Sequence, residues 1–309
     1  MSELPTVVTW GNIMCDLIFT GLPGLPVMGE EIYADGLDMS VGGGAALTAL
    51  SMRRLGWKVV CMGRAGRDVF GDMALRMLSE EGVDTSLVQR FGSRAAPGNV
   101  TVALSFPHDR AFVTHQPAGP WNYPAQIDSG RRHHHFAGYE GREKIMRDIS
   151  SLESATVSLD TGWCEGSSWR REVLDLLRWV DVFFPNEREA LYLSGEDDVV
   201  SALRFLSKIC QRVVVTLGPS GALTLDDGRE IRAPGFDVCP VDTTGCGDAF
   251  AAGFLDGWLT GSGLETCLRW GNALGAIVAS SAGSLSSFGN REEIRAFMER
   301  GCSWPPDRS

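Results

Sequence analysis

Apolar and polar residues form two kinds of segment along the chain. Short apolar runs rich in β-branched or aromatic residues predict β-strands at residues 7–9, 59–62, 156–159, 182–184 and 213–217. Between them, apolar residues recur at helical spacing and predict helices at residues 45–55, 72–81, 143–152, 170–179 and 199–208. This alternation predicts an α/β fold of three layers, α/β/α, in which helices cover both faces of a mostly parallel central sheet.

The last third of the chain has a different pattern. From residue 248 to about residue 282, small and apolar residues recur at helical spacing, interrupted by Gly-Ser-Gly at 261–263. This pattern predicts two packed helices. Residues 291–300 predict a final amphipathic helix.

Two regions do not follow the strand–helix alternation. Residues 98–116 have the pattern of two strands joined by a four-residue turn, and residues 17–41 combine glycines and prolines with short extended pieces. We expect these regions to form a small β-sheet that stands off the main sheet as a lid; an ordinary hairpin at the edge of the sheet is the alternative. Because no repeat or linker divides the chain, residues 1–309 are predicted to be one domain.

Composition and charge narrow the class of partner. The chain has 309 residues, of which 44% are hydrophobic, and its formal net charge is −11. This acidic balance argues against nucleic acid or an anionic membrane as the main partner. None of the eight cysteines forms a CxxC pair, and the first residues lack the basic and apolar segments of a signal peptide. We therefore expect a soluble cytoplasmic protein with reduced thiols and no membrane span.

Several common catalytic motifs are absent from the sequence. There is no GxxxxGK[ST] loop, no GxGxxG after the first strand, and Ser220 lies in GPSG rather than in GxSxG. His133, His134 and His135 form a run in a probable strand. Adjacent strand residues point to opposite faces of a sheet, so these three imidazoles are not expected to share one metal ion.

The most informative segment is residues 241–253, VDTTGCGDAFAAG. Gly245 and Gly247 stand directly before an apolar helical run, where converging backbone N–H groups and the helix dipole favour an anion. Asp248 falls in the first helical turn beside that anion, where a carboxylate can accept a proton from an attacking hydroxyl. The alternative is a glycine turn in which Asp248 only caps the helix.

The same thirteen residues strongly resemble the C-terminal motif of the ribokinase-like (PfkB-type) carbohydrate kinases, D-T-x-G-A-G-D-x-F-x-x-G, with Cys246 in place of the usual Ala. Further motifs follow in the order of that family: GGGAALTALSMRRLG at 42–56, GRAGRDVFG at 63–71, NERE at 186–189, TLGPSG at 216–221 and an Asn at 272. The resemblance implies a ribokinase-like fold and an ATP-dependent kinase of a sugar, a sugar derivative or a nucleoside.

This resemblance also implies roles for individual residues. Asp248 is the expected catalytic base, and the amides of Gly245, Cys246 and Gly247 are the expected anion hole. On the nucleotide side, the family pattern corresponds to Asn186, Glu189, Thr216, Gly218, Gly221, Thr243 and Asn272. In the family, the first two of these organise Mg²⁺, largely through water. Being three residues apart, they also fit an N-cap and its capping-box acid, and both roles can hold at once; the Asn at 272 is expected near the adenine, with simple packing as the alternative.

On the acceptor side, the resemblance implies that Asn12, Asp16, Gly42 and Gly43 bind the sugar. A carboxylate at position 16 can accept hydrogen bonds from two vicinal hydroxyls, with a turn aspartate as the alternative. The pattern G-G-x-x-x-N departs at Leu47, which replaces the usual Asn and leaves the acceptor open. Arg110, in the predicted hairpin turn, closes over the acceptor, pairs with a phosphate, or is simply an exposed turn charge.

The expected small-molecule partners are ATP, Mg²⁺ and a sugar-like acceptor, with a monovalent cation such as K⁺ as in some relatives. A homodimer through the lid is expected by analogy. The presumed acceptor region holds no cluster of Lys or Arg, which disfavours a phosphosugar. Alternative functions are a catalytically silent nucleotide- or sugar-binding regulator on the same fold, motivated by Leu47, and a nucleoside kinase; the missing Rossmann glycines disfavour a dehydrogenase.

Overall fold

A computed structural model describes residues 6–93, 98–106, 110–117, 131–139, 142–151, 155–162, 168–241, 243–280 and 289–300. Thirteen strands lie in these ranges. They are β1 (Thr6–Asn12), β2 (Met14–Thr20), β3 (Gly36–Gly42), β4 (Lys58–Gly66), β5 (Gln89–Phe91), β6 (Val100–Ser105), β7 (Arg110–His115), β8 (Arg131–Ala137), β9 (Thr156–Asp160), β10 (Val182–Phe183), β11 (Arg212–Thr216), β12 (Ala222–Asp226) and β13 (Arg229–Ala233).

Nine of these strands form the main sheet, in the order β13-β12-β11-β10-β9-β8-β1-β4-β5. All neighbours from β11 to β5 run parallel, whereas β12 and β13 form an antiparallel hairpin at one edge. The parallel strands therefore bring their carboxyl ends to one edge, where the loops that follow them can build a site.

Helices cover both faces of this sheet. They are α1 (Gly44–Arg54), α2 (Val69–Glu80), α3 (Glu143–Ser150), α4 (Trp169–Leu176), α5 (Glu187–Ser194), α6 (Val199–Leu206), α7 (Cys246–Leu259), α8 (Leu264–Ala279) and α9 (Arg291–Arg300). Consecutive strand residues belong to opposite cores: Val7 lies in the core that includes residues of α1, α2, α7, α8 and α9, and Val8 lies in the core that includes residues of α3 to α6. Because successive strand residues are apolar on both faces, helices pack on each side of the sheet and the molecule has three layers.

A separate four-stranded sheet has the order β3-β2-β6-β7. Two buried polar side chains hold its base against the main sheet. The Asn99 amide donates to the carbonyls of Ile13 (3.0 Å) and Arg64 (3.1 Å). One carboxylate oxygen of Asp68 accepts from the Gly98 amide at 2.7 Å while the other caps α2. These contacts fix the angle at which the small sheet leaves the main one.

The three consecutive histidines lie on β8, and their contacts follow the strand alternation. His133 and His135 share the Ser158 hydroxyl, each at 2.8 Å, whereas His134 accepts a hydrogen bond from the Trp10 indole at 3.1 Å on the other side of the sheet. Burial lowers the pKa of His135 to about 3 and that of His133 well below its usual value. The imidazoles of His133 and His135 are therefore neutral parts of the core.

The predicted fold class is confirmed: a mostly parallel sheet between two helical layers, with a separate small sheet. The predicted strands and helices are present within the described residues, with ends that differ by a few residues. Strand β5 and the β12–β13 hairpin were not predicted. Helix α2 begins earlier than predicted because the Asp68 carboxylate accepts from the amides of Phe70 and Gly71. The expectations of one domain and of a lid role for the small sheet stay predictions.

One placement was wrong. Arg110 is not in a turn: it is the first residue of β7, and its backbone pairs with Ser105. Pairing across the two strands extends one residue further than the turn pattern indicated. The rest of the predicted turn, 107–109, and the Arg110 side chain lie outside what the structure describes. Within the described part of the chain, no helix has the length and apolar character needed to cross a membrane.

Candidate active site

The start of helix α7 lies at the carboxyl edge of the main sheet. Gly245 precedes the helix with a positive φ of 76°, a backbone conformation that glycine adopts without strain. The Cys246 amide donates to the Thr243 carbonyl at 3.3 Å. Among the described residues, the amides of Gly245 and Gly247 donate to no backbone carbonyl in the turn before α7. Two of the three predicted anion-hole donors are thus available to an anion.

The Asp248 carboxylate lies in the first turn of α7, half-buried against the start of α1. The Thr48 hydroxyl is 3.5 Å from its Oδ1. A Cβ atom at Gly44 would lie 2.8 Å from the same oxygen, so a glycine there makes room for the carboxylate. Burial raises the pKa of Asp248 to about 7, helped by the charge of Asp160, while the Thr48 hydrogen bond lowers it.

A cavity of about 480 Å³ opens beside these amides. Five predicted nucleotide-side residues line it, together with Cys246 and Gly247: Thr216, Gly218, Gly221, Thr243 and Asn272. The Asn272 amide donates at 3.0 Å to each of the carbonyls of Ala233 and Pro234. It therefore holds the backbone that forms one wall of the cavity, a role that the sequence pattern did not reveal.

Asn186 and Glu189 lie next to this cavity, at the start of α5. They form a reciprocal capping box: the Asn186 side chain accepts from the Glu189 amide at 2.9 Å, and the Glu189 carboxylate accepts from the Asn186 amide at 3.0 Å. The backbone of Asn186 pairs with Thr216, which lines the cavity. Burial raises the pKa of Glu189 to about 7, and Asp160 adds to the shift.

Asp160 is the site residue that sequence reasoning missed. It ends β9, and a Cβ atom at Gly247 would lie 3.9 Å from its Oδ2. Burial raises its pKa to about 6, and its charge raises the pKa of both Glu189 and Asp248. The available signal was an aspartate directly after an apolar strand, at the sheet edge where ligands bind in such folds.

On the acceptor side, the structure brings together Asn12, Asp16, Gly42 and Gly43 around the Gly42–Gly44 turn. The Asp16 carboxylate packs against Gly42, and the Asn12 carbonyl lies where a Cβ of Gly43 would be. Asp16 lies within β2 rather than in a turn, and burial raises its pKa to about 6. Leu47 points into the main core, where only 3% of it is exposed.

The carboxylates fit a metal ion held in part by other groups. In the described ranges, no set of three His, Cys, Asp or Glu side chains is arranged to hold a metal ion by itself. Asp160 nevertheless lies close enough to Glu189 for its charge to raise the pKa of Glu189, and it lies beside Gly247 at the start of α7. Two buried carboxylates with raised pKa values suit a hard cation that shares phosphate and water oxygens.

Comparison with known proteins identifies the family. The family model described as pfkB family carbohydrate kinase matches residues 5–290. The chain belongs to this family. The cytidine kinase of Thermococcus kodakarensis is similar to this carbohydrate kinase, with 31% identity over 272 residues (84% of this chain and 94% of the relative).

Solved structures share the fold of this carbohydrate kinase. Arabidopsis thaliana ribokinase complexed with ribose and ATP superimposes with a TM-score of 0.81 at 22% identity, covering 95% of this chain and 98% of the other. A structure from E. coli in complex with ATP and Mg²⁺ has a TM-score of 0.79 at 20% identity, covering 96% of this chain and 100% of the other.

The raised pKa of Asp160 predicts a pH-dependent effect of removing its charge. A buried acid with a raised folded-state pKa destabilises the fold as pH rises from its unfolded value near 4 to its folded value near 6, because the unfolded chain releases the proton first. We therefore expect Asp160→Asn, without divalent metal, to raise the free energy of unfolding by about 1–2 kcal/mol at pH 8 and to change it little at pH 4. Urea unfolding at both pH values measures this.

The matched control is Asp175→Asn, which removes an exposed carboxylate paired with Arg178. It should change stability by less than about 0.5 kcal/mol at either pH. Destabilisation of Asp160→Asn at pH 8 would contradict the assignment of a buried, repelled carboxylate at position 160.

Proposed function

We propose that this carbohydrate kinase transfers the γ-phosphoryl group of ATP to a hydroxyl of a sugar or sugar-like molecule, with Asp248 as the base. One observation carries the proposal. The Asp248 carboxylate lies against Gly44 of the acceptor turn, and Asp248 directly follows Gly247, which lines the cavity. A group at that position can reach an acceptor hydroxyl on one side and the end of a nucleotide on the other.

The reaction needs one proton to be moved. As the acceptor oxygen forms a bond to the γ-phosphorus, its O–H bond breaks and the proton passes to the Asp248 carboxylate. The bond between the γ-phosphorus and the bridging oxygen breaks, and ADP leaves with that electron pair. A base with a pKa of about 7 is matched to this task at neutral pH, since about half of it is ionised there and the ionised form accepts a proton readily.

Negative charge on the transferred group is met by the first turn of α7. The available amides of Gly245 and Gly247, at the positive end of the helix dipole, would donate to its oxygens. Asp160 and Glu189 would hold Mg²⁺ through water beside the phosphates. Magnesium there supplies positive charge that the acidic edge of the sheet lacks. Positioning and charge stabilisation, rather than covalent chemistry, carry phosphoryl transfer.

The predicted binding residues divide between two substrates. The cavity beside Thr216, Gly218, Gly221, Thr243 and Asn272 would hold the nucleotide, with Asn186 ordering the start of α5 next to it. Asn12, Asp16, Gly42 and Gly43 would bind the acceptor, with Arg110 contributed by β7. Activation by a monovalent cation such as K⁺ stays a prediction from the family resemblance.

The central test is Asp248→Asn. The amide keeps the shape of the side chain and removes its ability to accept the proton, so we expect turnover to fall at least about a hundredfold. ATP binding, measured by thermal shift with a non-hydrolysable analogue, should be retained. Turnover is measured as ATP-dependent phosphorylation across a panel of sugars and nucleosides.

Asp175→Asn is the matched control, since it makes the same change at an exposed carboxylate that pairs with Arg178 and is not among the residues lining the cavity. It should keep turnover within a few-fold of the unmodified chain. If Asp248→Asn is equally active, the base is misassigned. A chain that binds ATP but phosphorylates no acceptor would instead be the silent regulator.

We also propose that two copies associate through one face of the small sheet. Strand alternation and register bring seven apolar side chains to the face opposite Asp16: Leu17, Phe19, Leu37, Met39, Val102, Leu104 and Val113. Leu37 and Val113 are 58% and 65% exposed. A two-fold contact would pack this apolar patch of one copy against the same patch of the other. Because the patch carries no charge, the contact would not bring together acidic surfaces of two chains that each have a net charge of −11.

Light scattering tests this association. We expect the unmodified chain to be a dimer at micromolar concentration and the double variant L37D/M39D to be a monomer. The two new carboxylates lie on the contact face of β3, and burying them in a dimer interface is unfavourable. Leu87→Asp, a partly exposed apolar position just before β5 of the main sheet, is the control and should leave the dimer intact. A monomeric unmodified chain at 50–100 times that concentration, on the order of 0.1 mM, would exclude the dimer.

A further inference from the structure

Side chains of the small sheet form transverse rows, because directly paired residues project from the same face. One row pairs in succession across the four strands: Ser40, Asp16, Thr101 and Thr114. Each member carries a hydroxyl or a carboxylate, and the last two hydroxyls are hydrogen-bonded to each other at 3.1 Å. We call this set the hydroxyl row.

The next row on the same face has a different character. Two residues further along β2, Ile18 pairs with the exposed Asp38 on β3 and with Ala103 on β6, which in turn pairs with Phe112 on β7. Residues two apart on a strand are separated by about 7 Å. Phe112 is 52% exposed, although phenylalanine is usually buried in soluble proteins. We call Ile18, Ala103 and Phe112 the apolar row.

This face of the small sheet looks toward Asp248. At the base of the sheet, Val41 of the opposite face is buried in the same core as Leu78 of α2, so α2 packs on that opposite side. Asp16 of the hydroxyl row packs against Gly42, two residues before the glycine that touches the Asp248 carboxylate. An acceptor bound at the hydroxyl row thus has one end near Asp248 and the other toward the apolar row.

We propose, on the basis of the function proposed above, that the acceptor is a nucleoside, a ribofuranoside with a flat heterocycle, and that Phe112 determines this specificity by stacking on the heterocycle. The hydroxyl row suits the vicinal hydroxyls of the ribose. The apolar row lies further from the Gly42–Gly44 turn than the hydroxyl row does. It gives the heterocycle of a nucleoside a flat apolar partner, whereas the anomeric hydroxyl of a free sugar is better solvated by water.

Leu47 supports this choice of substrate class. It is buried in the main core and offers no polar atom to the acceptor. Binding energy for a small, fully polar sugar must come from hydrogen bonds, whereas a nucleoside also gains from stacking. Stacking of one base on an aromatic side chain changes affinity by about 5-fold to 150-fold.

Steady-state kinetics with saturating MgATP and three acceptors, cytidine, adenosine and ribose, tests the proposal. For the unmodified chain, we expect kcat/KM for at least one nucleoside to exceed that for ribose by tenfold or more. Phe112→Ala should raise the KM for that nucleoside by about 5-fold to 150-fold and leave the KM for ribose nearly unchanged. Phe112→Tyr should restore the nucleoside KM, because it restores the ring.

Val113→Ala is the matched control. It shortens the neighbouring side chain on the same strand, which projects from the opposite face. It should change the KM values for nucleoside and ribose by the same factor, so the ratio of the two stays constant. A general disturbance of the small sheet would do the same in Phe112→Ala, and that outcome would overturn the specificity role.

The outcomes separate this inference from the function on which it rests. Phosphorylation of free sugars in preference to nucleosides would leave the kinase function standing and overturn the nucleoside proposal. A nucleoside-to-ribose KM ratio that Phe112→Ala changes less than twofold would overturn the role of Phe112. No ATP-dependent phosphorylation of any sugar or nucleoside would overturn both.

Discussion

Three carboxylates, Asp160, Glu189 and Asp248, share the carboxyl edge of the parallel sheet with the first amides of α7, and their mutual repulsion shapes the site. The charge of Asp160 raises the pKa of both of the others, and burial raises all three. This arrangement costs stability in the absence of cations. It also gives Asp248 a pKa of about 7, which suits a base at neutral pH, and it leaves a place for the positive charge that accompanies a nucleotide.

The topology makes this convergence possible. Strand β9 ends at Asp160, the chain after β10 starts α5 at Glu187, and α7 begins beside both, so residues far apart in sequence meet at one edge. Gly44 leaves room for the Asp248 carboxylate from the acceptor side, and the buried Asn99 and Asp68 fix the small sheet above it. A rigid frame of this kind holds reacting groups at short distances without further cost when the substrates bind.

Local features of the site could be predicted from the sequence, whereas features that depend on tertiary contacts could not. A few consecutive residues determine each of three local features: the turn at Gly245, the start of α7 and the Asn186–Glu189 capping box. The importance of Asp160 arises only when β9 is placed beside α7, 88 residues further on (248 − 160). Likewise, the contacts of Asn272 with Ala233 and Pro234 depend on how α8 packs against the end of β13. The placement of Asp16 and Arg110 in strands depended on pairing that extends past the turn signals.

The pH dependence of kcat/KM, measured for the unmodified chain and for Asp160→Asn, tests the central claim most directly, because it reports the essential base of the free enzyme. The rate should rise with pH and level off above a pKa of about 7, since Asp248, as the proposed base, must be ionised to accept the proton. In Asp160→Asn, this rise of kcat/KM should occur at lower pH, because the charge of Asp160 that raises the pKa of Asp248 has been removed. An acid limb near pH 4 in the unmodified chain, or one that Asp160→Asn does not move, would contradict this account of the site.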